Sequence, residues 1–96
     1  MKRILIVDDE KDIRNNIKAI LQDENYLTDT ADSSDDALDL LGQHSYDLII
    51  LDVWLNDSKL DGIELLKTIK KSNKEIPIVI ISGHGNIEIA VEAIKE

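Results

Sequence analysis

The sequence predicts a doubly wound α/β domain, a parallel sheet with helices on both faces. Two observations predict it. Short, β-branched apolar runs alternate with stretches of helical period, in the order β-α-β-α-β-α-β-α. Three of the four runs are apolar at consecutive positions, the pattern of strands buried on both faces. The length agrees. At 96 residues and 43% hydrophobic, the chain is long enough for one core and not two.

The elements follow in order. Residues 4–7 (Ile-Leu-Ile-Val) form the first strand. Ile13, Ile17, Ile20 and Leu21 then recur at i, i+4, i+7 and i+8, which predicts a helix over 11–24. Residues 26–31 (Tyr-Leu-Thr-Asp-Thr-Ala) alternate more, as an edge strand does. Ala37, Leu38 and Leu41 mark a shorter helix, opened by the cap signal Ser33-x-x-Asp36 and stopped by Gly42. Residues 48–51 (Leu-Ile-Ile-Leu) are the third strand, and Ile63, Leu66 and Ile69 the third helical stripe. Residues 76–81 form the fourth strand. A fourth helix is expected from Ile87, Ala90, Val91 and Ile94, with Asn86 as its N-cap.

Composition narrows the function. Twenty Asp and Glu against 11 Lys and Arg leave a formal charge of −9. That balance disfavours a binder of phosphate backbones, so no direct nucleic-acid contact is expected, and it suits a cation or a basic surface. With no cysteine there is neither a disulfide framework nor a thiolate zinc site. The apolar run after Lys2-Arg3 stops at Asp8-Asp9-Glu10, too short for a signal peptide. No run reaches the ~18–20 apolar residues of a membrane span. A soluble, cytoplasmic protein is expected.

In parallel α/β sheets ligands bind beyond the carboxyl ends of the strands. Those ends carry Asp8-Asp9, Asp52 and Ser82. If strands one, three and four are neighbours, three carboxylates and a hydroxyl converge. Each carboxylate pair then repels by ~1–4 kcal/mol at ~4 Å, depending on the effective dielectric. A hard divalent cation relieves this, and an all-oxygen donor set with open positions suits Mg2+. A carboxylate at the mouth of such a site can attack phosphorus, and a hydroxyl at a strand end can hydrogen-bond a phosphoryl oxygen. Singly, each Asp could equally cap a helix or make a turn, as Asp9 before the first helix could; the joint pattern is harder to reach by accident.

Ile6-Val7-Asp8-Asp9-Glu10, Asp47-Leu48-Ile49-Ile50-Leu51-Asp52, Asp61-Gly62 and Ile78-Val79-Ile80-Ile81-Ser82-Gly83 together resemble the receiver domain of bacterial two-component response regulators. The resemblance covers essentially residues 1–96. It implies a flavodoxin/CheY-like sheet of order 2-1-3-4, with Asp52 as phosphoacceptor. It implies Mg2+ held by Asp8, Asp9 and Asp52, with the backbone carbonyl of Trp54 as a further ligand. Ser82 is implied as the switch hydroxyl. The implied partner is a sensor histidine kinase, and the implied role is phosphoacceptor rather than enzyme, controlling transcription in a parent protein. The interval from Asp52 to Gly62 is longer than usual in the family. With Asp52-Val53-Trp54-Leu55 and Gly83-His84-Gly85, it resembles the NtrX branch of the NtrC-like group.

Family members also carry a fifth strand ending in a Lys, which would fall beyond Glu96. The expectation is therefore a receiver truncated before its fifth strand and fifth helix, and weakly phosphorylated. Its fourth strand would be an uncharged, uncovered edge, and self-association is expected there or through swapped elements. Two rival readings remain. One is a pseudo-receiver or dimerisation module that does not accept phosphate. The other is a haloacid-dehalogenase-type phosphatase, which wants Asp-x-Asp where this chain has Asp52-Val53-Trp54. Trp54 either lines the site mouth or is an exposed loop aromatic. His84 reads as a polar loop residue, and Lys59, Lys67, Lys70, Lys71 and Lys74 as a solvated face.

Overall fold

A computed structural model describes residues 2–52, 62–72, 75–82 and 86–89. In chain order these form β1 (Arg3–Val7), α1 (Lys11–Asp23), β2 (Leu27–Ala31), α2 (Ser34–Gln43), β3 (Leu48–Asp52), α3 (Gly62–Ser72), β4 (Ile78–Ser82) and β5 (Asn86–Ile89). All five strands join one sheet of order β2-β1-β3-β4-β5. The first four run parallel, as the order 2-1-3-4 requires, and β5 is antiparallel to β4.

The run of β1 lies where both faces are covered, whereas β3 is half-buried at Leu48 and Ile50 and β4 at Val79 and Ile80. Ile4, Leu5, Ile6 and Val7 are all buried in β1, flanked by β2 and β3. Alternation divides them between faces. Leu5 and Val7 join Ile49 and Leu51 of β3 in a cluster with Ala37 of α2 and Leu65, Leu66 and Ile69 of α3. Ile4 and Ile6 point the other way, towards the α1 side. Each fully buried side chain of this size stabilises the fold by about 1.5–3 kcal/mol.

The helix ends follow local chemistry. At the C-terminus of α1, the amides of Asn25 and Tyr26 donate to the carbonyls of Gln22 and Leu21. Asn25 holds a left-handed φ of 68°, which completes this Schellman closure. Ser33 caps α2, its Oγ accepting from the Asp36 amide at 3.2 Å, as the sequence predicts.

Several expectations are corrected. Asn86–Ile89 is a strand, not the start of a helix. Asn-Ile-Glu-Ile fits a period of two as well as a helical stripe. The open edge of β4 rewards the extended form with ladder hydrogen bonds. This antiparallel strand is not the Lys-ending fifth strand of the family, but it pairs within the chain the edge expected to be uncovered at β4. That removes the stated basis for self-association through β4. Gly42 does not stop α2, which continues to Gln43. Lys70 is buried rather than solvated, and its Nζ donates to the Ile76 carbonyl at 2.7 Å, tying α3 to the approach of β4. Ile20, assigned to the apolar stripe of α1, is 64% exposed. Among the described residues, no helix is long and apolar enough to cross a membrane.

Candidate functional site

The sheet order makes β1, β3 and β4 successive neighbours. The register sets their ends level. Val7 pairs with Leu51, so Asp8 and Asp52 are each one residue further along adjacent strands. Asp52 pairs with Ile81, which puts the Ser82 backbone one residue beyond, at the end of β4. The condition set by the sequence reading is thus met for all three strand ends.

The carboxylates of Asp8, Asp9 and Asp52 do converge. One oxygen from each lies within 4.8 Å of the others. Asp8 is fully buried, Asp52 is buried, and Asp9 is half-buried. Asp9 is thus the most exposed of the three carboxylates.

Asp8 is held at every polar atom but one. Its amide donates to the Ala31 carbonyl, prolonging the β1–β2 ladder. Its Oδ1 accepts from the Glu10 amide at 2.8 Å. Its carbonyl accepts from Arg14 Nη1 at 2.8 Å. The remaining atom, Oδ2, is buried and has no hydrogen-bond donor among the described residues. Burial raises the Asp8 carboxyl to a pKa of about 6; the Glu10 amide opposes this, while the negative charges of Asp52, Asp9 and Glu10 add to it.

The two carboxylate oxygens of Asp8 differ in their surroundings. Oδ1 makes the Asx turn that starts α1, where Glu10 occupies the N-cap position without a side-chain bond of its own. Oδ2 is left over. A desolvated oxygen without a donor, beside two more carboxylates, fits a hard cation that takes oxygen ligands.

Sequence reasoning missed two participants: Arg14 and the Glu10 amide. Arg14 had a readable signal, a cation in the first turn of a helix that starts beside two aspartates. Trp54 and the rest of the 53–61 segment, with Gly83, His84 and Gly85, lie outside the described residues.

With this geometry, residues 4–96 match the family model of the response regulator receiver domain. The chain belongs to that family. Among its relatives, the nitrogen assimilation regulatory protein NtrX of Azorhizobium caulinodans is 54% identical over 92 residues, 96% of this chain and 20% of that protein. The solved receiver domain of NtrX from Brucella abortus superposes with a TM-score of 0.84 at 52% identity, covering 96% of this chain and 77% of that one. The response regulator TrrA of Thermotoga maritima, solved in complex with Mg2+-BeF, gives 0.80 at 39% identity over 88% of this chain and 71% of that one. This receiver thus spans about a fifth of the length of the curated NtrX relative. Its sheet order and helices match the CheY-like fold of these neighbours.

Proposed function

We propose that this receiver accepts a phosphoryl group on Asp52 from the phosphohistidine of a sensor histidine kinase and relays that event as a conformational switch. The observation that carries the reading is the meeting of Asp8, Asp9 and Asp52 at adjacent strand ends, with Asp8 Oδ2 buried and undonated. An Asp52 oxygen attacks phosphorus. The P–O bond forms as the P–N bond breaks, and the imidazole leaves with the electron pair. Asp8, Asp9, Asp52 and the Trp54 backbone carbonyl would hold Mg2+, whose charge offsets that of the phosphoryl oxygens. The Mg2+-BeF complex of TrrA supports this choice of ion.

Ser82, one residue past the partner of Asp52, is the hydroxyl proposed to turn towards the acyl phosphate. The segment after β4 would then repack, shifting the balance between two states. Water hydrolyses the acyl phosphate and resets the domain. Control of transcription in the cytoplasm is the proposed output; the name of the NtrX relative supports a regulatory role.

Acetyl phosphate with Mg2+ should retard the protein on a Phos-tag gel, and Asp52→Asn should abolish the shift. A shift that persists in the variant would assign the phosphoryl group elsewhere. No shift in the native protein would favour the phosphate-incompetent reading.

A further inference from the structure

We infer that Arg14 is a positioning residue for the carboxylate cluster, holding the turn between β1 and α1 in the shape that presents Asp8 and Asp9 to a divalent cation. The inference rests on the metal-binding part of the proposed function and adds a residue that the motif does not contain.

Arg14 stands in the first turn of α1, where its amide closes the helix onto the Glu10 carbonyl. A cation there opposes the helix dipole, which favours negative charge at the N-terminus. Local contacts offset that cost. Its half-buried guanidinium reaches back to the Asp8 carbonyl at 2.8 Å. The same charge acts on Asp32, just past the end of β2; that carboxyl is held below its ordinary range, chiefly by a hydrogen bond with Asp36 and further by Arg14. Arg14 therefore acts on residues at the carboxyl ends of both β1 and β2.

The Asp8 carbonyl is the hinge of the turn. The Asp8 side chain is bonded two residues ahead to the Glu10 amide. With the amide bonded to Ala31 and the carbonyl to Arg14, the Asp8 backbone is fastened on both sides. The Asp8 carboxylate is thereby kept in its place in the cluster, with Oδ2 buried and without a donor among the described residues. Oriented ligands bind a metal more tightly than free ones, and groups that orient them typically act at the scale of 10-fold or more.

The sign of the effect separates positioning from charge. Removing a nearby positive charge, taken alone, should strengthen binding of a cation. Loss of positioning should weaken it. NMR on the whole protein provides both readouts, with Arg14→Met and Arg14→Lys beside the native chain. In the ion-free protein, Arg14→Met should lower exchange protection of the Glu10 amide by about 10-fold and leave β3 amides unchanged. In Mg2+ titrations followed in the same spectra, it should weaken binding by about 10-fold, with partial recovery in Arg14→Lys. Unchanged Glu10 protection, or equal or tighter Mg2+ binding in Arg14→Met, overturns the inference. If the native protein shows no response to Mg2+, the metal reading of the site fails instead, and the exchange data still decide whether Arg14 holds the turn.

Discussion

Asp8 shows how one residue serves two ends. Its Oδ1 builds the turn and its Oδ2 is held in reserve at a cost that depends on pH. The folded chain titrates Asp8 near 6, against 3.8 for an ordinary aspartate. Below 3.8 both folded and unfolded chains keep the proton, and stability is at its fullest. Between these values only the unfolded chain ionises, so stability falls as pH rises. Above about 6 the loss is complete, at about 3 kcal/mol. Asp8→Asn should therefore melt higher than the native protein at pH 8 without Mg2+, and the gap should close towards pH 4. A variant less stable at pH 8 would refute the assignment of Asp8 as a strained carboxylate. A second residue pair lies away from the site. Buried Tyr46 donates its hydroxyl to Asp29 at 2.7 Å, and burial together with that bond raises the phenol pKa. Tyr46→Phe should cost about 1 kcal/mol in a urea melt, since Asp29 remains partly solvated and near Arg3. At this scale the three aspartates were legible because they end apolar strands. The Glu10 amide was not, because its role depends on how a turn closes, and Arg14 showed only as a cation near two aspartates.

At the scale of elements, the sequence was most readable where one signal dominated. The cap Ser33-x-x-Asp36 places the start of α2 correctly, and the unbroken apolar runs place β1, β3 and β4. It was least readable where two patterns overlapped. Asn86–Ile89 satisfies both periods, and the choice falls to a long-range partner, the edge of β4, that no local window contains. Gly42 misleads for a related reason. It resembles a helix stop, yet the His44 amide still donates to the Leu40 carbonyl beyond it. A Cβ at Gly42 would meet nothing within 4 Å. Gly42→Ala should therefore stabilise the protein by about 0.5–1 kcal/mol, by helix propensity alone. A loss of stability on thermal denaturation would mean that the glycine ends the helix after all.

For the molecule as a whole, the site depends on topology more than on any element. Asp8 and Asp52 are 44 positions apart in the chain and meet only because β3 crosses over to lie beside β1 in parallel register. The strand-end rule for α/β sheets made that meeting foreseeable. What the sequence could not supply was the division of burial among the three carboxylates, which sets Asp8 deepest and leaves Asp9 the most exposed. We propose that this cluster makes Asp52 the phosphoacceptor. The most direct measurement is to treat the protein with acetyl phosphate and Mg2+, reduce any acyl phosphate with borohydride, and locate the product by peptide mass spectrometry. Homoserine at position 52 alone, absent when Mg2+ is omitted, is the expected result. Homoserine formed from Asp8 or Asp9, or label on a side chain outside the cluster, would contradict the account.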